Sequence, residues 1–130
     1  MYLLDTNTLI YFFKGMGNVS SRLLETPPIN IAIPTIVLFE IEAGIAKSIS
    51  PEKRLLQLKN ITDAVNIVSF GIKEARVAAI LRAKLEKRGT PIGPYDVIIA
   101  GTALAQGAIL VTHNYKEFRR VEGLQLEDWY

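Results

Sequence analysis

Apolar positions along this chain fall into short continuous runs, separated by longer stretches in which they recur at helical spacing. The opening run, Tyr2-Leu3-Leu4, reads as a buried strand that delivers Asp5 to its carboxyl end. A helix is expected from about Thr6 to Phe13, closed by Gly15 and Gly17, and a shorter one from Ser20 to Glu25, stopped by Pro27-Pro28. Ile29-Asn30-Ile31-Ala32-Ile33 alternates apolar and polar and reads as a strand. Pro34 then suits the first turn of a helix to about Lys47. Ser50-Pro51-Glu52 opens another helix, with Ser50 as its N-cap, and Asn66-Ile67-Val68 is a short strand. From about Gly71 to Arg88, Val77, Ala78, Leu81 and Leu85 recur at helical spacing, and Gly89 and Pro91 end the pattern. Pro94 starts a helix to about Gln106, stopped by Gly107. Its small residues Ala100, Gly101, Ala103 and Ala105 suit very close packing. Ala108 to Val111 reads as a central parallel strand and Leu124 to Leu126 as an edge strand. Strands separated by helices throughout predict an α/β domain of three layers with a mostly parallel sheet.

Composition narrows this picture. A chain of 130 residues with 49 % apolar content fits one domain, residues 1–130, with a real core. No apolar stretch reaches the ~20 residues of a membrane helix, and no basic segment followed by an apolar one opens the chain, so no membrane association and a cytoplasmic setting are expected. The absence of cysteine excludes disulfides and thiolate metal sites. A net charge of +2 says little about partners. Its distribution says more: Lys73, Arg76, Arg82, Lys84, Lys87 and Arg88 share one segment, and Lys116, Arg119 and Arg120 another. They make either a solvated helix face or a basic rim that tracks phosphates.

The candidate chemistry lies in carboxylates. Of four aspartates, Asp5 and Asp96 have strongly apolar neighbours, and a buried carboxylate is costly unless paired, hydrogen-bonded or metal-bound. Asp5 suits an N-cap or a ligand. Asp96, in the first turn of its helix, suits the helix dipole or a site. Glu40 and Glu42 lie in the apolar helix after Pro34, on roughly opposite faces, and periodicity leaves open which points inward. Gly44, one turn after Glu40, weakly marks the Glu40 face as close-packed. In a parallel sheet all carboxyl ends share one edge, and the helices starting at Pro34 and Pro94 begin there. The topology therefore converges Asp5, Glu40, Asp96 and Asn114 on one pocket. Each like-charged pair at ~4 Å costs roughly 1–4 kcal/mol at effective dielectrics of 80 to 20. Either a held proton or a divalent cation relieves this, and an all-oxygen donor set selects Mg²⁺ or Mn²⁺ over Zn²⁺. His113, the only histidine, has no Ser or Cys nucleophile beside it and reads as a loop residue facing substrate or solvent. There is no Walker A loop and no Gly-x-Gly-x-x-Gly fingerprint.

These residues carry a resemblance. Tyr2-Leu3-Leu4-Asp5-Thr6-Asn7-Thr8, Phe39-Glu40-Ile41-Glu42-Ala43-Gly44, Ile92-Gly93-Pro94-Tyr95-Asp96 through Ile99-Ala100, and Val111-Thr112-His113-Asn114 with Glu117-Phe118 resemble the four motifs of PIN-domain ribonucleases. The group they resemble is the VapC toxins of toxin–antitoxin pairs. Val121-Glu122-Gly123-Leu124 and Glu127-Asp128-Trp129 resemble the family's tail. The resemblance implies an endoribonuclease that uses Mg²⁺ or Mn²⁺. It selects Glu40 over Glu42 and maps Asp5, Glu40 and Asp96 onto the acidic metal ligands. Asn114 falls where many members carry Asp and completes the catalytic set with reduced negative charge. Thr6, Asn7 and Thr112 would support the site by orienting carboxylates or water, and Glu117 would compensate for the Asn. A homodimer, a cognate VapB-like antitoxin and an RNA substrate are also implied, with initiator tRNA as the lead. Two other readings compete: a non-enzymatic α/β binding module whose carboxylates are caps, and a dehalogenase-like phosphatase. The phosphatase wants an acid where Asn7 stands.

Overall fold

A computed structural model describes residues 1–130. Five parallel strands form one sheet: β1 (Tyr2–Leu4), β2 (Ile31–Pro34), β3 (Asn66–Val68), β4 (Ile109–Val111) and β5 (Leu126–Glu127), in the order β3-β2-β1-β4-β5. The connections hold seven helices: α1 (Thr6–Lys14), α2 (Val19–Glu25), α3 (Thr35–Ala46), α4 (Glu52–Ala64), α5 (Ile72–Lys87), α6 (Pro94–Gln106) and α7 (Tyr115–Phe118). Since parallel crossovers are right-handed, the helices leading β1 to β2 and β2 to β3 cover one face. Those of the long return from β3 to β4 cover the other, which gives the three layers. The strands are apolar on both sides for this reason: Leu3, Leu4, Ala32, Ile33, Leu110 and Val111 are all fully buried.

β1 is the centre of the sheet and the point where strand order reverses. It pairs with β2 through Tyr2↔Ile31 and with β4 through Leu3↔Leu110 and Leu4↔Val111. A crevice at the carboxyl ends of β1 and β4 follows from that reversal, the place where open α/β sheets take ligands.

The close approach expected of the small residues in α6 is present. A Cβ on Gly101 would lie 2.6 Å from Ala78 Cβ and 2.7 Å from Ala78 Cα on α5, so only glycine lets the two helices meet there. α6 ends as expected at Gly107, whose φ of 61° is the left-handed cap conformation.

Three local expectations need correction. Pro28–Asn30 forms a single 3-10 turn, so β2 begins at Ile31 rather than Ile29. Proline at the turn's first position and the Asn30 amide bonded to the Pro27 carbonyl (2.9 Å) draw the chain into the turn. Ser50 does not cap α4; Pro51 occupies that position without a side-chain cap bond, and Ser48 Oγ accepts from the Ser50 amide instead. The last strand lies at Leu126–Glu127, two residues later than its apolar pattern implies. Pairing with Leu110 and Val111 sets its place, with the Gly123 turn ahead of it. α3, apolar all round, buries Val37, Ile41 and Ile45, yet Phe39 stays 54 % exposed, edge-on to Tyr95.

Candidate active site

Asp5 leaves β1 as the N-cap of α1. Its carboxylate accepts from the Thr8 amide at 2.8 Å, which satisfies one of the orphan donors at the helix start. Its own amide donates to Val111 O on β4 at 3.2 Å, and the Thr8 hydroxyl donates to the same carbonyl at 3.0 Å. Two strands and a helix start are thereby stitched around one buried carboxylate. Thr112, fully buried at the end of β4, donates its hydroxyl to Asp5 and accepts the Asn114 amide at 3.0 Å. Burial raises the Asp5 pKa; the bonds from Thr112 and Thr8 oppose that, and the Glu40 charge adds to it.

Glu40 reaches the crevice from the second turn of α3, where Thr6 Oγ1 donates to its Oε1 at 2.7 Å. Glu42 is exposed on the other side of the helix. The Gly44 argument for the Glu40 face fails, because a Cβ on Gly44 would meet nothing within 4 Å. That face borders an open groove rather than a tight helix contact.

Asp96, in the first turn of α6, is half-buried, and its pKa is pushed up to about 7. Burial is the main cause, followed by the hydrogen bond and charge of Glu117 and then by the charges of Asp5 and Glu40. Glu117 is the other half of this pair. Burial opposes its ionisation, but it accepts from the Gly93 amide (2.6 Å), from Asp96 and from Asn114 Nδ2 (2.9 Å), and its pKa is lowered. The surroundings thus favour the charge on Glu117 and the proton on Asp96. Asn114 links the two halves of the site, with its amide bonded to Thr112 and its side chain to Glu117.

Asn7 is exposed at the helix start. His113 bonds none of the clustered acids: Nδ1 lies 2.8 Å from Asp128 Oδ2, and the ring stacks on Tyr130 at 4.3 Å. Two participants escape a reading of the sequence, Thr8 and Gly93. Thr8 was visible in principle, because the third residue after an Asp N-cap supplies the amide it accepts. Gly93 carries no such signal; a Cβ there would lie 3.1 Å from Asp96 Oδ2 and 3.5 Å from Glu117 Oε1.

Asp5, Glu40 and Glu117 are each turned toward protein donors and Asp96 toward Glu117, and no three carboxylate or histidine side chains are grouped closely enough to hold one ion in this arrangement. The donor chemistry nonetheless fits a hard divalent cation. The groups are all oxygen donors, and burial together with the neighbouring carboxylate charges raises the Asp96 pKa to about 7, a load of negative charge that a cation would relieve.

The sequence pattern of the PIN domain matches residues 2–124. The chain belongs to the PIN-domain family. Within that family it groups with the VapC ribonucleases. It is 37 % identical over 131 residues to "Ribonuclease VapC2" of Rickettsia felis, covering 99 % of this chain and 98 % of that one. It is 34 % identical over 128 residues to the "tRNA(fMet)-specific endonuclease VapC" of Salmonella typhimurium, covering 98 % and 97 %. The crystal structure of DNA-bound VapBC from Salmonella typhimurium superposes with a TM-score of 0.93 at 34 % identity, over 99 % of this PIN domain chain and 98 % of that one.

Proposed function

We propose that this chain is a metal-dependent endoribonuclease that hydrolyses phosphodiester bonds in a structured RNA of the tRNA class, and that a VapB-like antitoxin restrains it. One observation carries the reading: Asp5, Glu40, Asp96 and Glu117 crowd the carboxyl edge of the sheet where strand order reverses. They do so in a chain that matches VapC ribonucleases over nearly its whole length. In this reading Asp5, Glu40 and Asp96 hold Mg²⁺ or Mn²⁺. The cation supplies Lewis acidity toward a phosphate oxygen and a more acidic bound water.

The protein's own groups do the rest. Thr8 and Thr112 fix the Asp5 carboxylate, and Thr6 fixes Glu40. Glu117 takes the proton-sharing role opposite Asp96 and is itself oriented by Gly93 and Asn114. The exposed Phe39 and Tyr95 edge suits the homodimer contact expected of such a protein.

The test is cleavage of total RNA by antitoxin-free protein with Mg²⁺, with EDTA, and with Asp5→Ala. Discrete fragments that require both the metal and Asp5 are expected. A folded protein that cuts nothing with either Mg²⁺ or Mn²⁺ would favour the binding-module reading.

A further inference from the structure

Beside the acids, α1, α3 and α4 line a groove of about 500 Å³ whose wall includes Glu40. Its apolar surface comes from Ile10, Phe13, Ile41 and Ile45, and its cationic lining from Lys14, Lys53 and Arg54. Arg54 is held in place. Its guanidinium lies 5.2 Å from the centroid of the Phe13 ring, and Nη1 donates to Gln57 Oε1 at 2.7 Å. Gln57 is anchored in turn, donating through Nε2 to the Phe13 carbonyl at 3.2 Å.

None of the three cations has a carboxylate partner. The ion pairs of the molecule are Arg22–Glu127, Lys59–Asp63, Arg82–Glu86, Arg88–Glu122 and His113–Asp128. Glu40, the one acid of the groove, is already bonded to Thr6. A stacked, amide-anchored arginine keeps most of its donors for an outside partner while losing little conformational freedom on binding, the arrangement that suits phosphate oxygens. The apolar wall beside it suits ribose and base surfaces.

We propose that this groove is a phosphate-binding subsite for the RNA strand next to the cleaved bond, with Arg54 as the fixed clamp and Lys14 and Lys53 as mobile contacts. The proposal rests on the nuclease reading for the identity of the strand. RNA is favoured over a protein segment because the free charges are all of one sign and share a wall with the acidic centre.

Binding and cleavage are measured separately, so the two readings can fail separately. Binding uses a fluorescent, fully 2′-O-methylated RNA oligonucleotide, which resists cleavage, titrated by anisotropy over a range of KCl. Arg54→Gln weakens binding about five- to tenfold and flattens the slope of log K against log[salt] by about 0.7, the contribution of one phosphate contact on a single strand. Lys53→Gln flattens it by a similar amount, and its side chain makes no hydrogen bond or ion pair whose loss would disturb the fold. Lys59→Gln, a cation outside the groove that pairs with Asp63, leaves binding unchanged. In cleavage of an initiator tRNA transcript, Arg54→Gln raises KM and leaves kcat within about twofold, and Arg54→Lys recovers part of the loss.

Unchanged RNA binding and salt slope in both Arg54→Gln and Lys53→Gln would overturn the proposal, as would a wild-type protein that does not bind RNA. Unchanged RNA binding with weakened capture of the antitoxin would reassign the groove to a protein partner. Arg54-dependent binding without any cleavage would keep the subsite and sink the nuclease reading instead.

Discussion

Asp96 sits where burial and three neighbouring carboxylates all oppose its ionisation. Folded, it keeps its proton up to about pH 7; the ordinary value is 3.8. Folding therefore takes up a proton between those values, and stability present below pH 3.8 is lost as pH rises through 7. Asp96→Asn keeps the shape and a donor toward Glu117 without the charge. Metal-free, it should melt above the wild type at pH 8, by about 3–5 °C for each kcal/mol relieved, and the gap should close toward pH 4. Cleavage should be lost. A lower melting temperature for Asp96→Asn at pH 8 would mean that the charge chiefly serves the start of α6. At this scale the sequence is informative about residue types and poor about orientation. Asp5 and Asp96 stand out because carboxylates among apolar neighbours are costly, but periodicity could not separate Glu40 from Glu42. Nor could it reveal that Glu117 bonds the Gly93 amide, because that contact joins a helix to a loop 24 positions away.

α5 and α6 form the tightest helix pair, because Gly101 admits the backbone of Ala78. Gly101→Ala should destabilise the protein by about 1–3 kcal/mol, read as a lower midpoint in urea, since neither helix can move without shifting the core. Adding Ala78→Gly should restore only part of this, because Ala78 Cα would still lie 2.7 Å from the new methyl. Undiminished stability in Gly101→Ala would mean that the helices can slide apart freely. Most elements were legible from apolar spacing and from Gly and Pro punctuation. The errors fell where spacing carries least. Ile29-Asn30 alternates like a strand but is bent into a turn by Pro28. Leu124 is as apolar as Leu126, yet only the latter reaches a partner on β4.

Strand order is a property of the whole molecule, and here it was inferred only as adjacency. For Asp5 and Asn114 to share a pocket, β1 and β4 must be neighbours, which they are. The position of β1 at the centre, between β2 and β4, is decided by long-range packing that no local window contains. A global consequence follows for metal binding. If the acids gather around a cation, Mg²⁺ or Mn²⁺ should raise the wild-type melting temperature above that in EDTA, in step with concentration. Asp96→Asn should respond much less. Equal responses would place the cation elsewhere.

The reversal at β1 also sets the order in which the protein can become active as it is made. Asp5 and Glu40 are made well before β4, yet the Thr8 hydroxyl that helps seat Asp5 bonds a carbonyl 103 positions further along. Domains fold as units, and pairings so distant in sequence form late. A ribosome translating this message therefore carries an incomplete acidic edge until β4 has emerged. That edge closes only when β4 slides in beside β1, so the carboxylate delivered by the first strand waits for the fourth before it is fixed in place.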